Sequence, residues 1–313
     1  MSVIMVDISV IIVSWNVADI LRHCLTSVYA SALGGRSVEV LVVDSGSTDD
    51  TLWMIQREFP QVIVLPQTEN LGYTRCNNIG LKVATGRHLL LLNPDTIILG
   101  DALSALSGYL DAQTDVGLVG PHTLNDDRTT QSTRRRFPNR RLAFFESTWL
   151  EPFAPKAWLR DYAFADQDDR ATFEVDWMQG SCLMARREVY DQIGGLDEGF
   201  VMFYEEMDWC KRAKEVGWRV AYVGTAQIVH LGGKSTEQAS AHKHIYYNQS
   251  KLRYFRKVYG GFFAGLLRVM LLIGYGWQLM VEWVKGLLGH RPDLRRQRVE
   301  MYWQVLKSGL RVR

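Results

Sequence analysis

Asn93-Pro94-Asp95 follows directly on Leu89-Leu90-Leu91-Leu92. A run that is apolar at every position reads as a buried parallel strand covered on both faces. A carboxylate at its end lies at the carboxyl edge of the sheet, where open α/β folds bind ligands. Asp95 there is placed to hold a divalent metal against a diphosphate. Asn-Pro and Asp are also ordinary turn formers, so a plain strand-end turn is the alternative. Asp44 closes a second apolar run in VVDSGSTDDT and suits the imide N–H of uracil or thymine, a donor that cytosine lacks. Helix capping competes for this segment. We assign Ser47, Asp49 and Asp50 to capping and Asp44 to the base.

A second acidic group lies in FYEEMDWCKR, where Glu205, Glu206 and Asp208 fall within one helical turn and Arg212 one turn beyond Asp208. An i,i+4 pair between Asp208 and Arg212 on an exposed face would account for part of it. Flanking Phe203, Tyr204, Met207 and Trp209 are too apolar for a solvated face. Carboxylates among aromatics gain proton affinity, which a general base for a sugar hydroxyl needs. Of the seven histidines, His230 alone ends an apolar strand and opens a glycine-rich turn, HLGGKS. That position suits a metal ligand or a diphosphate contact, with Lys234 and Ser235 nearby, although a lone histidine is commonly just packed. NLGYTRCNNIG puts Gly72 and polar residues at a helix N-terminus, whose free N–H groups favour phosphate oxygens, and Arg75 adds charge. The chain lacks the Gly-x-Gly-x-x-Gly fingerprint and the P-loop lysine, which argues against a dehydrogenase and an NTPase. No glycine-rich basic N-terminal loop offers to hold a triphosphate, as a nucleotidyltransferase would need.

The elements that must position these groups alternate. Strand patterns at 7–16, 38–47, 61–66 and 89–92 alternate with helical spacing at 18–30, 48–59, 73–84 and 101–111, and a strand follows at 116–120. Repeated βα units predict a parallel, doubly wound sheet with right-handed crossovers. Residues 125–141, with six arginines, read as a mobile basic loop, either solvated or touching a phosphorylated acceptor. Sheet character resumes at 175–188, a helix is expected at 203–216, and strands at 218–224 and 226–235.

The 313 residues, 47% hydrophobic and 22% charged, suit one large globular domain or two. No basic start or cleavage site precedes the first strand, so no signal peptide is expected. The four scattered cysteines read as buried reduced thiols of a cytosolic protein. The net charge of +2 conceals an asymmetry: residues 241–313 carry 14 Lys and Arg against Glu282, Asp293 and Glu300. Long apolar runs interleave with these charges, which points to a phospholipid surface and not to nucleic acid. Residues 246–260 read as a basic amphipathic helix. The uninterrupted apolar run 269–281 is shorter than the about 20 residues that span a bilayer, so helices lying in the interface are expected, with packing on protein as the alternative.

The ordered set SVIIVSWN, VVDSGSTDDT, NLGYTRCNNIG, LLLLNPD, the segment from WMQGSC to GWRV, and HLGGKS resembles a family 2 glycosyltransferase of GT-A fold, most closely the rhamnosyltransferase-like branch. The resemblance spans 7–235. It implies a doubly wound mixed sheet with helices on both faces and a catalytic domain over 1–240 (nucleotide half 1–120, acceptor half 121–240), while the composition of 241–313 marks a helical, membrane-associated region. It further implies inverting transfer from a nucleoside diphosphate sugar, dTDP-rhamnose or a UDP-hexose, to a glycan or lipid-linked acceptor in cell-surface polysaccharide synthesis. The place would be the cytoplasm at the inner face of the plasma membrane, and a homo-oligomer is admitted. Ser14, Asn16 and Asp44 would line the nucleotide pocket, and Asn70, Arg75, Asn77, Asn78, Asn93 and Lys234 the nucleotide and diphosphate. Asp95 and His230 would hold Mg²⁺ or Mn²⁺, with Asn93 standing where the family's metal motif has its first Asp. Glu206 would be the base with Glu205 its rival, and Trp177, Gly180 and Asp208 would lie on the acceptor side. A catalytically silent sugar-nucleotide binding subunit is the reading from another functional class.

Overall fold

The computed structural model describes residues 6–146, 151–232, 240–289 and 291–312. The chain divides into two compact units, Met1–Phe137 with Asp161–Glu198 and Glu205–Ser235, and Pro138–Arg160 with Gly199–Tyr204 and Thr236–Arg313.

The first unit is built on β1 (Ile8–Ser14), β2 (Val38–Asp44), β3 (Ile63–Pro66) and β4 (His88–Leu92), joined by α1 (Ala18–Ala30), α2 (Thr51–Glu58) and α3 (Tyr73–Val83). These strands are parallel in the order β3-β2-β1-β4, as the alternation predicts. Period-two alternation divides their side chains between two apolar layers. Ile8, Val10, Ile12, Leu90 and Leu92 meet α1, α2 and, further along, α4 (Ala102–Ala112). Ile11, Leu41, Leu89 and Leu91 face the other layer with α3, α7 (Arg187–Ile193) and α8 (Glu205–Glu215). Every residue of β4 is therefore buried, and each leucine contributes about 2 kcal/mol by burial. Gly80 lets α3 approach β1 closely, since a Cβ there would come within 2.4 Å of the Ile11 side chain.

The sheet becomes mixed beyond β4. β10 (Cys182–Arg186) runs antiparallel between β4 and β6 (Val116–Leu124), and β11 (Arg219–His230) lies parallel to β6. β5 (Thr96–Ile98) and β8 (Thr172–Val175) add to β11 antiparallel. The two strands expected at 218–224 and 226–235 are one, with a register irregularity between Val223 and Gln227.

Residues 125–141 are more ordered than their polarity suggests. β7 (Arg134–Arg135) pairs with β9 (Trp177–Met178), and α5 (Arg140–Glu146) begins within the segment. Arg134 is buried, bonded to Asp169 at 2.5 Å and lying over the ring of Tyr222. Arg136 is paired with Asp161 over the ring of Phe164.

The second unit is helical. α9 (Ser240–Tyr259), α10 (Gly261–Leu287) and α11 (Pro292–Ser308) are its main elements, with α6 (Lys156–Tyr162) partly in it. Gly260, at φ 88°, separates α9 from α10, and Pro292 opens α11 where its missing N–H costs nothing. Residues 261–287 form a single helix; the internal glycines do not break it.

Candidate active site

The register gathers the predicted groups at one edge. Ser14 pairs with Asp44 across β1 and β2, and Ile12 pairs with Leu92 across β1 and β4, so Asp44 and Asn93-Pro94-Asp95 leave the sheet at its carboxyl end. Because β10 is antiparallel to β4, with Cys182 opposite Leu92, residues before β10 arrive at that same edge. The Asn93 amide donates to the Ser181 carbonyl (2.9 Å), which fastens the two segments together.

Asp95 is buried, and its Oδ1 has no hydrogen-bond partner. That oxygen lies 3.3 Å from Nε2 of His230, which β11 carries opposite Thr96 of β5. Nδ1 of His230 lies 2.8 Å from Oε1 of Gln131, whose amide nitrogen donates to Asn125 Oδ1. The carboxamide is thereby oriented to accept the Nδ1 proton, leaving the Nε2 lone pair toward Asp95. Two electron-rich atoms at this separation fit a shared cation. Among the described residues no group of three or more His, Cys, Asp or Glu could hold a metal. A divalent ion here would take its remaining ligands from substrate phosphate and water, as Mg²⁺ commonly does.

α8 supplies the carboxylates. Glu206 is half-buried and its Oε1 accepts from the Gly180 amide at 3.3 Å. Oε2 of Glu206 and Oε2 of Glu205 are buried without a hydrogen-bond partner. Burial raises the proton affinity of both, and the neighbouring Glu206 charge pushes Glu205 further, well above the usual carboxylate range. Both carboxyls are thus held toward their protonated forms. The Tyr73 hydroxyl donates to the Gly180 carbonyl (3.2 Å), and its own ionisation is opposed first by burial, then by Glu205, Glu206 and Asp95. One tyrosine thus senses all three carboxylates. The chain enters α8 through Phe203 and Tyr204 at φ 70° and 68°, left-handed conformations that cost about 1 kcal/mol each for such residues.

The nucleotide-side predictions divide. Asp44 is fully buried; Oδ2 accepts from Ser14 (2.9 Å) and Ser47 (2.6 Å) hydroxyls, and Oδ1 from the Ser47 amide (2.9 Å). A carboxylate has about four acceptor sites, so Oδ1 keeps one. Ser47 consequently does not cap α2. Its partner is Asp44, and Asp50 makes no side-chain cap bond, whereas Asp49 does hold the Thr51 amide. Asn16, at φ 53°, accepts from the Thr48 amide (2.8 Å) and so shapes the same loop. Asn70 accepts from the Gly72 amide (3.0 Å) and from Ser45 (3.2 Å). Arg75 is exposed and 3.8 Å from Glu198.

Three predicted residues turn away from the edge. Asn77 donates to the Tyr73 carbonyl within α3, and Asn78 is committed to Leu196 and Glu198. Asp208 is buried and bonded to Arg212 (2.8 Å), which also donates to the carbonyls of Ile193 and Gly195. The i,i+4 pairing foreseen for Asp208 is present but buried, because Arg212 fastens α8 to the end of α7. Trp177 donates from its indole to the Arg136 carbonyl (2.9 Å), beside Gly180 in sequence. Lys234 lies outside the described residues. Sequence reasoning did not single out Gln131 or Tyr73. Tyr73 stood inside a quoted motif, whereas Gln131 had no signal within its polar segment.

Comparison with known proteins places this geometry. Over 229 residues the chain is 29% identical to N-acetylglucosaminyl-diphospho-decaprenol L-rhamnosyltransferase of Mycobacterium tuberculosis, covering 67% of this chain and 74% of the relative. It resembles the mannosyltransferase PcManGT of Pyrobaculum calidifontis, solved with GDP-Man and Mn²⁺, with TM-score 0.56 at 16% identity over 97% of this chain and 86% of that one. It also resembles GalNAc-T7, solved with UDP, GalNAc and Mn²⁺, with TM-score 0.59 at 15% identity, over 81% of this chain and 48% of that chain. The GT-A fold expected from the motifs is thus the fold observed. The profile of glycosyl transferase family 2 matches residues 9–194, and the chain belongs to that family.

Proposed function

We propose that this glycosyltransferase moves rhamnose from dTDP-rhamnose, with inversion, to a hydroxyl of a glycan or lipid-linked acceptor in cell-surface polysaccharide synthesis. The observation that carries the reading is the proximity at one sheet edge of the Asp95–His230 pair and a half-buried, proton-hungry Glu206. The likeness to a rhamnosyltransferase named for a decaprenol-linked acceptor supports the donor and acceptor classes. An acceptor of that kind would put the enzyme on the cytoplasmic face of the plasma membrane.

Glu206 takes the acceptor hydroxyl proton as the oxygen attacks the anomeric carbon. The new C–O bond forms on the face opposite the diphosphate, whose C–O bond breaks with its electron pair. One base and no protein nucleophile give inversion. The Gly180 amide holds Oε1 of Glu206, which leaves Oε2 for the proton. Glu205, buried beside Glu206, favours its protonated form, since burial and the Glu206 charge both oppose its ionisation. Asp95 and His230 would hold Mg²⁺ or Mn²⁺, which supplies charge stabilisation to the departing diphosphate when bound. Asp44, through the acceptor position left on Oδ1, would take the imide of the base. Arg75 is free to approach phosphate by exchanging its exposed partner Glu198.

The test offers dTDP-rhamnose, UDP-glucose, UDP-galactose and UDP-N-acetylglucosamine with Mn²⁺ and follows release of the nucleoside diphosphate. Faster release from dTDP-rhamnose upholds the donor; faster release from a UDP-sugar replaces it. No release from any of them, with or without a polyprenol-linked acceptor, leaves only a binding subunit.

A further inference from the structure

We propose that the uncovered face of α10 docks on an anionic phospholipid bilayer, with the helix axis in the membrane plane. α10 carries two apolar faces. One, with Ala264, Leu267 and Leu271, is buried within the helical unit. The other is a stripe of Phe262, Leu266, Val269, Ile273, Trp277 and Met280, continuing to Leu287 at the same three- and four-residue spacing. Phe262 is 91% exposed, Trp277 60% and Leu287 69%. Over 27 residues the stripe runs about 40 Å, far beyond scattered surface apolar residues.

The helix does not serve as a span, although its length and composition would suffice. Its covered face is tied laterally along most of its length. Arg268 donates to the Gly309 carbonyl (2.7 Å), the Tyr275 hydroxyl accepts from Asn248 of α9 (2.9 Å), and buried Arg295 of α11 pairs with buried Glu282 (2.5 Å). Crossing the bilayer would carry α9 and α11 into hydrocarbon with their exposed Lys243, Arg256, Lys257, Arg296, Arg298 and Lys307. Lying in the interface immerses only the stripe and leaves those cations in water.

Charge selects lipid over a second copy of the chain. Residues 241–313 carry 14 basic against three acidic side chains, so two copies meeting here would repel, whereas an anionic leaflet attracts them. Trp283 of α10 and Trp303 of α11 are also exposed, and tryptophan favours the depth where headgroups meet acyl chains. This inference concerns the second unit and does not rest on the proposed reaction.

The experiment floats the full chain with vesicles of phosphatidylglycerol and phosphatidylcholine, and with phosphatidylcholine alone, following tryptophan emission in parallel. The inference requires flotation with the anionic vesicles and a blue shift. It also requires a fall in binding of about tenfold or more when Leu266→Ser, Ile273→Ser and Trp277→Ser are combined. These side chains are surface-exposed, so circular dichroism should stay unchanged, and Trp53→Ser, at an exposed position of α2, should leave flotation intact. Absence of flotation, or equal flotation of the triple variant, overturns the inference. So does concentration-dependent self-association that the triple variant abolishes without any vesicle binding. Because no sugar transfer is read, none of these outcomes bears on the transferase reaction.

Discussion

Nε2 of His230 and Oδ1 of Asp95 stand 3.3 Å apart, with Gln131 bonded to the far side of the imidazole. Three separate segments thus converge on one pair of lone-pair donors. Asp95→Ala and His230→Ala should each abolish transfer, as should chelation by EDTA, and Mn²⁺ titration in the presence of dTDP by electron paramagnetic resonance should show the affinity lost. Gln131→Ala should weaken Mn²⁺ by about tenfold while leaving the fold intact, since it removes only the partner that fixes the tautomer. Full turnover in EDTA would dismiss the metal assignment.

Glu206→Gln should lower transfer by about a thousandfold and leave dTDP affinity unchanged, because the amide keeps the Gly180 contact but takes no proton. Near-normal turnover would move the base to Glu205. Activity of the wild type should decline as pH falls through a value above the usual 4.5 of glutamate, because burial raises the proton affinity of Glu206.

Glu205 offers a stability measurement. Its folded carboxyl binds a proton more tightly than the unfolded one, so its contribution is full below 4.5 and is lost as pH climbs through the raised value. Glu205→Gln removes a charge that burial and Glu206 both oppose. Relative to wild type, the variant should gain more in melting temperature at about pH 8 than at about pH 5. An equal difference at both pH values would contradict the burial of an ionising group.

Asp208→Ala should cost about 2–3 kcal/mol in urea unfolding, since it strips Arg212 of its ion pair while that guanidinium still holds two carbonyls. Any protein that folds should keep its KM for acceptor. A selective rise in that KM without loss of stability would return Asp208 to the acceptor side.

His88 should govern acid lability. Burial at the start of β4 lowers its pKa from 6.5 to about 4, while Ser107 holds Nδ1 at 2.9 Å. A depressed imidazole contributes stability above 6.5 that is lost as pH falls toward 4. His88→Gln should flatten the stability profile across that interval in thermal melts; an unchanged slope would place the lability elsewhere.

The parallel half of the sheet was legible because β1, β2 and β4 are apolar at nearly every position and alternate with helical spacing. β5 escaped notice: three residues after Asp95 carry no periodicity, and only pairing with β11 makes them a strand. The arginine-rich segment misled for a related reason. Its polarity says nothing of the Tyr222 ring and Asp169 carboxylate that bury Arg134. Asp95, His230, Glu205 and Glu206 stood out by type and by position at strand or helix ends, and the fold sets His230 beside Asp95 and Glu206 beside Gly180. Asn78 was not separable from them, since its partner Leu196 offers only backbone groups, and Asp208 was not because its foreseen pairing with Arg212 gave no sign that Arg212 would be anchored to the Ile193 and Gly195 carbonyls.

β4 is hydrogen-bonded to β1 on one side and β10 on the other, so the peptide leading to Asp95 has no free edge along which to shift. Glu206 rides on α8, itself fastened by Arg212 and buried Trp209, but Gly180 is held by side chains, the Glu206 carboxylate and the Tyr73 hydroxyl. The backbone leading to Asp95 is consequently held by two strand ladders, and Gly180 by side chains. Deuterium uptake should be slowest through Leu89–Leu92 and faster around Gly180. On the roles proposed for these residues, a donor side built on those ladders would admit less variation than an acceptor side closed by side chains.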